Sequence, residues 1–92
     1  MGRSPRISET GGRDHWPGAM SAALAGGGIQ GGRVVGATDA KGSEPVENAK
    51  TPMDVLATIY RHLGIDVGRT YEDLAGRPHP ILPEGRPLTE LF

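Results

Sequence analysis

Apolar residues follow a regular period in only one stretch of the chain. From Thr51 to Leu63 they fall at Met53, Leu56, Ile59, Tyr60 and Leu63, with Val55 beside them. That is the three-and-four spacing of one helical face. The stretch also has the punctuation of a helix. Thr51 can cap it, Pro52 occupies the first turn where a missing N–H costs nothing, and Asp54 stands where a capping box places its acid. Gly64 follows as a stop. The pattern predicts a helix over 51–63 whose apolar face packs on something, either its own domain or a partner.

Elsewhere the pattern is weak. Residues 1–18 mix glycine, proline and charge without a period, which predicts an extended loop. Ala19 to Ala25 is a run of small residues between glycines. It reads as a buried strand of the kind sandwiched between close helices, with its helix propensity as the competing signal. Arg33-Val34-Val35-Gly36 reads as a second brief β-like run, and a polar loop follows through Lys50. Gly76-Arg77-Pro78 and Gly85-Arg86-Pro87 echo each other. Proline-rich strips of this kind usually drape over a surface and seldom build a sheet of their own.

Composition narrows the outcome. A chain of 92 residues is at most one small domain, burying only about 60% of its unfolded surface. Fifteen glycines and eight prolines add ordering cost or break regular structure without filling a core. There is no cysteine, so neither a disulfide nor a thiolate zinc site can compensate. Ten basic and eleven acidic side chains are scattered without a basic run, which argues against nucleic acid as a partner. No stretch approaches the roughly 20 apolar residues of a membrane span, and no apolar segment follows the N-terminal charges as in a signal peptide. Read as it stands, the chain is cytoplasmic.

His15 in Gly12-Arg13-Asp14-His15-Trp16-Pro17 is the sharpest candidate for chemistry. A neutral imidazole can bind a metal, but hydrolytic metal sites need three or more converging ligands, and most lone loop histidines are simply solvated. His62, late in the helix, and His79, between two prolines, are poor helpers. Asp14 is open to three roles: direct ligand, acceptor behind the histidine, or ordinary loop residue. Trp16 either anchors the loop by burying its ring or lines a pocket. Arg3 or Arg13 could grip an anionic group through two parallel hydrogen bonds, against the plainer reading of a solvated arginine. Gly26, Gly28 and Gly31 match G-x-G-x-x-G, but the residues after them do not open a helix. A turn allowing close backbone approach explains the cluster better than nucleotide binding. Neither a phosphate-binding P-loop nor a G-x-S-x-G elbow is present.

Taken together, Met1-Gly2-Arg3-Ser4-Pro5-Arg6-Ile7, Gly12 to Pro17, the glycine cluster and Val35-Gly36-Ala37-Thr38-Asp39 resemble the C-terminal end of a bacterial sulfatase-like family of unknown function. The likeness continues through Thr51 to Tyr60, Leu63-Gly64-Ile65, Gly76-Arg77-Pro78 and Glu90-Leu91-Phe92. That family in turn resembles the alkaline phosphatase superfamily. The resemblance implies an α/β fold, here an incomplete C-terminal piece of an alkaline-phosphatase-like sandwich with short strands and one main helix. The metal site would lie at the carboxyl ends of the strands. His15 matches a late histidine that is a metal ligand in the superfamily, and Ala22 to Gly28 resembles the strand and turn beside it.

Asp14 would then lie behind His15, and Arg3 and Arg13 become candidates for substrate binding. The cofactor implied is a divalent metal, zinc, calcium or manganese, in the intact protein only. Gly2-Arg3-Ser4-Pro5 looks like the tail of a motif in which an acidic residue and a phenylalanine precede the glycine. Met1 stands in place of that phenylalanine, and the nucleophile and most other ligands of such folds lie upstream. The resemblance therefore presents residues 1–92 as a truncated gene product, a pseudogene remnant or a mis-called start. No catalytic nucleophile is assigned within it, its partner would be the missing N-terminal part of the same domain, and the full-length pattern implies export. On this reading the fragment belongs to a metal-dependent sulfatase-like or phosphatase-like hydrolase and is inactive alone. The alternative is a non-enzymatic fragment that docks through helix 51–63.

Overall fold

The computed structural model describes all 92 residues. The protein is α/β, with three separate two-stranded antiparallel ribbons and one main helix. It divides into two compact units. One comprises Met1–Gly26 and Gly31–Ala49; the other comprises Gly27–Gln30 and Lys50–Phe92.

In the first unit, β1 (Gly2–Arg3) pairs with β2 (His15–Trp16), and β3 (Ala37–Thr38) pairs with β4 (Pro45–Glu47). Residues 1–18 are thus more than the extended loop their composition predicts. Ser8 and Gly12 close the connection through Ser8 N–H to the Gly12 carbonyl, 2.7 Å, which brings two short segments into register. Gly2 belongs in β1 because a Cβ there would overlap the Ala19 carbonyl oxygen. The polar loop after Gly36 likewise holds the β3–β4 ribbon. Two expected strands do not form. Ala19–Ala25 has no pairing partner and is largely exposed, so nothing satisfies a strand's backbone or sandwiches its small side chains. Arg33–Gly36 is irregular, with Val34 almost wholly exposed; Gly36, at φ +82°, turns the chain so that pairing starts one residue later. This unit buries Ser4 but no hydrophobic residue.

The second unit is built on α1 (Pro52–His62). Thr51 Oγ1 accepts from the Asp54 N–H at 3.2 Å, and Asp54 Oδ2 accepts from the Thr51 N–H at 2.7 Å, completing the capping box. At the other end Gly64 adopts φ +72°, with Gly64 N–H bonded to the Arg61 carbonyl and Ile65 N–H to that of Tyr60. This is the double hydrogen bond that closes helices on a left-handed glycine. The buried face is rotated from the expected stripe: Ala57 and Thr58 are buried, whereas Ile59 and Leu63 are exposed.

The rotation has a local cause. The Gly85-Arg86-Pro87-Leu88 strip lies along the helix on the Asp54–Thr58 side. Asp54 Oδ1 accepts from Arg86 N–H at 2.7 Å, and Thr58 Oγ1 accepts from Leu88 N–H at 2.8 Å. A Cβ on Gly85 would strike the Met53 carbonyl. This second echo drapes as expected. The first does not: Pro78–Pro80 forms β6, paired with β5 (Thr70–Glu72). Its prolines are tolerated because a two-stranded ribbon has only edges. The chain ends in a 3-10 turn, Thr89–Leu91. The hydrophobic core of the unit is Ala57, Leu82, Leu88 and Leu91.

Local stability follows from this division. Amide exchange is expected to be slowest in α1, which has caps and adjoins the buried leucines, and fastest in residues 1–18 and 37–50, which bury no hydrophobic residue. Hydrogen-exchange measurement decides it; equal protection in the three segments contradicts the account.

Candidate functional site

The β1–β2 ribbon brings Arg3 and His15 together, with Arg13 and Asp14 immediately before β2. Arg3 lies directly opposite His15, and Gly2 opposite Trp16. Opposed residues of an antiparallel pair project from the same face with Cβ atoms about 4.5–5.5 Å apart. The histidine and an arginine therefore share one face. The His15 ring is exposed and makes no hydrogen bond within the chain.

Ser4 holds this arrangement together. Its N–H donates to the Asp14 carbonyl at 2.9 Å, its Oγ accepts from the Asp14 N–H at 3.1 Å, and its hydroxyl donates to the Arg6 carbonyl at 2.8 Å. The guanidinium of Arg13 reaches the Ser4 carbonyl at 3.1 Å, and that of Arg3 reaches the Arg13 carbonyl at 3.3 Å. Both arginines thus brace backbone on this ribbon while keeping other N–H donors free. The Asp14 carboxylate is exposed and makes no hydrogen bond to the His15 ring. Trp16 is the anchor of the two readings open for it: its indole N–H donates to the Ser43 carbonyl at 2.7 Å, tying β2 to the β3–β4 loop. Gly18 is required beside it, since a Cβ there would crowd both the indole nitrogen and the Ser43 carbonyl, each at 2.6 Å. That loop is fixed by Asp39, whose carboxylate accepts from the Ser43 hydroxyl and, at 2.7 Å, from the Ser43 N–H. The Ser43 hydroxyl, with the Ser43 amide next, holds the Asp39 carboxyl below its ordinary range.

These residues do not by themselves fit a metal centre. No three His, Cys, Asp or Glu side chains converge anywhere in the chain, and His15 with one neighbouring carboxylate falls short of the three or more ligands a hydrolytic metal requires. The glycine cluster makes a turn: Gly26, Gly27 and Gly28 all have positive φ, and Gly27 closes over the His62 ring, which a Cβ would approach to 2.9 Å. No helix follows it, so no phosphate-binding helix end forms there.

Sequence reading missed a second polar cluster, at the β5–β6 turn. Asp73 Oδ1 accepts from Ala75 and Arg77 N–H, while Oδ2 meets Arg77 Nε at 2.9 Å and His79 Nε2 at 3.0 Å. The Arg77 backbone N–H leads these contacts in holding the Asp73 carboxyl low, and the His79 bond comes next. Tyr71 stacks on His79 with ring centroids 5.8 Å apart. Asp73 four residues before an arginine was the available signal, since an aspartate at that position turns a hairpin. The Asp54 carboxyl is also held low, first by Arg86 N–H and then by Thr51 N–H. These two aspartates are explained by the turn and the helix cap that they stabilise. Ser4 gave no signal beyond its place between Arg3 and Pro5.

No helix is long and apolar enough to cross a membrane. Residues 1–92 match the family described as Protein of unknown function (DUF1501). Neither a curated protein nor a solved structure matches the chain.

Proposed function

We propose that this chain, which belongs to the DUF1501 family, is the C-terminal part of a metal-dependent sulfatase-like or phosphatase-like hydrolase. In this reading His15 is one metal ligand, Asp14 lies behind it, and Arg3 or Arg13 holds the anionic group of the substrate. The observation that carries it is the register of the β1–β2 ribbon. It sets His15, exposed and free of internal hydrogen bonds, opposite Arg3, so a ligand nitrogen and an anion-binding guanidinium share one face. The divalent cation, zinc, calcium or manganese, enters only in a longer protein, where residues other than these 92 complete its ligand set. The missing N-terminal part of the same domain is then the partner. Of the strand and turn that the resemblance implied over Ala22 to Gly28, the strand does not form, and the chain only turns at Gly26–Gly28.

A second reading, a non-enzymatic fragment docking through residues 51–63, draws on the exposure of Ile59 and Leu63. It predicts no dependence of metal content on His15.

With zinc, calcium or manganese added, the isolated chain is expected to turn over neither an aryl phosphate nor an aryl sulfate, because one histidine cannot hold an activating metal. A longer family member containing the same ribbon is expected to hydrolyse one of the two in a metal-dependent way. Failure of the longer protein on both ester classes contradicts the hydrolase reading. Metal-dependent turnover by the isolated chain, lost in His15→Ala, contradicts its inactivity alone.

A further inference from the structure

Ala19 to Ala25 runs without a bend or a turn, most of its side chains are exposed, and none of its backbone N–H or C=O groups has a hydrogen-bond partner within the chain. Its first residue is held beside β1, where the Ala19 carbonyl lies against Gly2. A row of unpaired backbone groups is a template for another strand. The order of the residues, Ala-Met-Ser-Ala-Ala-Leu-Ala, selects that strand. Successive side chains of a strand point to opposite faces, so Met20, Ala22 and Leu24 fall on one face and Ala19, Ser21, Ala23 and Ala25 on the other. Two copies related by a two-fold axis at Ala22 run antiparallel. That register sets Met20 of each opposite Leu24 of the other, Ala19 opposite Ala25 and Ser21 opposite Ala23, close enough to touch across the pair. A slip of one residue places Met20 and Leu24 opposite only alanine or serine and forfeits both apolar pairs. No charged side chain occurs between Pro17 and Gly32, and the net charge is −1, so like charges do not keep two copies apart.

We propose that Ala19–Ala25 is a self-recognition strand, through which two copies of the chain pair antiparallel with Ala22 at the two-fold axis. Such an interface is isologous, the same residues serving both sides. It joins the exposed Met20 of one copy to the half-buried Leu24 of the other, and it pairs backbone groups otherwise left to water. Two short strands are marginal on their own, so association is reversible and grows with concentration. His15, Asp14, Arg3 and Arg13 take no part in it, and hydrolysis and self-association can each fail alone.

The test is sedimentation equilibrium of the 92-residue chain over a concentration series, with a filtered nuclear Overhauser measurement on mixed isotope-labelled and unlabelled copies. The mass is expected to rise from monomer towards dimer, and the Met20 methyl of one copy to contact the Leu24 methyls of the other. Met20→Lys and Leu24→Asp each remove an apolar contact made twice in the dimer, and each should weaken association roughly tenfold or more. Mixed in equal amounts the two variants should regain it, because this register sets the introduced cation opposite the introduced carboxylate. Ile59→Lys, at an exposed position of α1, leaves association unchanged. An unchanged Trp16 fluorescence spectrum verifies the fold around the segment, and the Overhauser contact tests the register without any variant. A chain that stays monomeric at the highest concentration, a dimer without the Met20–Leu24 contact, association lost in Ile59→Lys, or a mixture no better than either variant alone overturns the proposal.

Discussion

Leu88→Ala is expected to destabilise the helical unit by about 2–5 kcal/mol, the range for truncating a buried leucine. Leu88 is 5% exposed and is one of only four buried hydrophobic residues, with Ala57, Leu82 and Leu91. Its backbone is also engaged, since the Leu88 N–H donates to Thr58 Oγ1, which in turn donates to the Asp54 carbonyl at 2.7 Å. Truncation leaves a cavity that the strip between Gly85 and Leu88 cannot collapse into without breaking that chain of bonds. Small domains have only about 5–15 kcal/mol of stability in total, so the loss is a large share of what holds α1 in place. Urea unfolding followed by helical circular dichroism measures it. Leu74→Ala, at a fully exposed site, is the control and should move the midpoint by no more than about 0.5 kcal/mol. Equal shifts for the two variants contradict this assignment of the core.

How much of this was legible in the sequence depends on how local each feature is. The helix could be read from Thr51 to Gly64 because caps, first-turn proline and terminal glycine act within a few residues of one another. The rotation of its buried face could not, because Arg86 and Leu88, which dock on Asp54 and Thr58, lie 32 and 30 residues away. Strands fail for a related reason: Ala19–Ala25 has the small side chains of a buried strand, but a strand exists only where another backbone completes its hydrogen bonds. The residue types of the candidate site, His15, Asp14, Arg3 and Arg13, were visible in the sequence. The pairing of Arg3 with His15 was not, since it depends on the turn closed between Ser8 and Gly12.

The second large effect concerns His15 itself. Where the other ligands are present, replacing the residue that matches His15 by alanine removes one of only a few bonds to the cation. The loss should exceed the roughly 10–100-fold that follows removal of an outer hydrogen-bonding partner. Asp14→Ala, which removes a carboxylate that makes no bond to the His15 ring within these 92 residues, is expected to cost less. The most direct measurement is the metal content of a purified full-length family member and of its variant at the His15 position, determined by elemental analysis on the samples used for ester-hydrolysis kinetics. The account predicts that bound metal and activity fall together in the variant. Unchanged metal content would contradict it and leave His15 an ordinary residue of the β1–β2 ribbon.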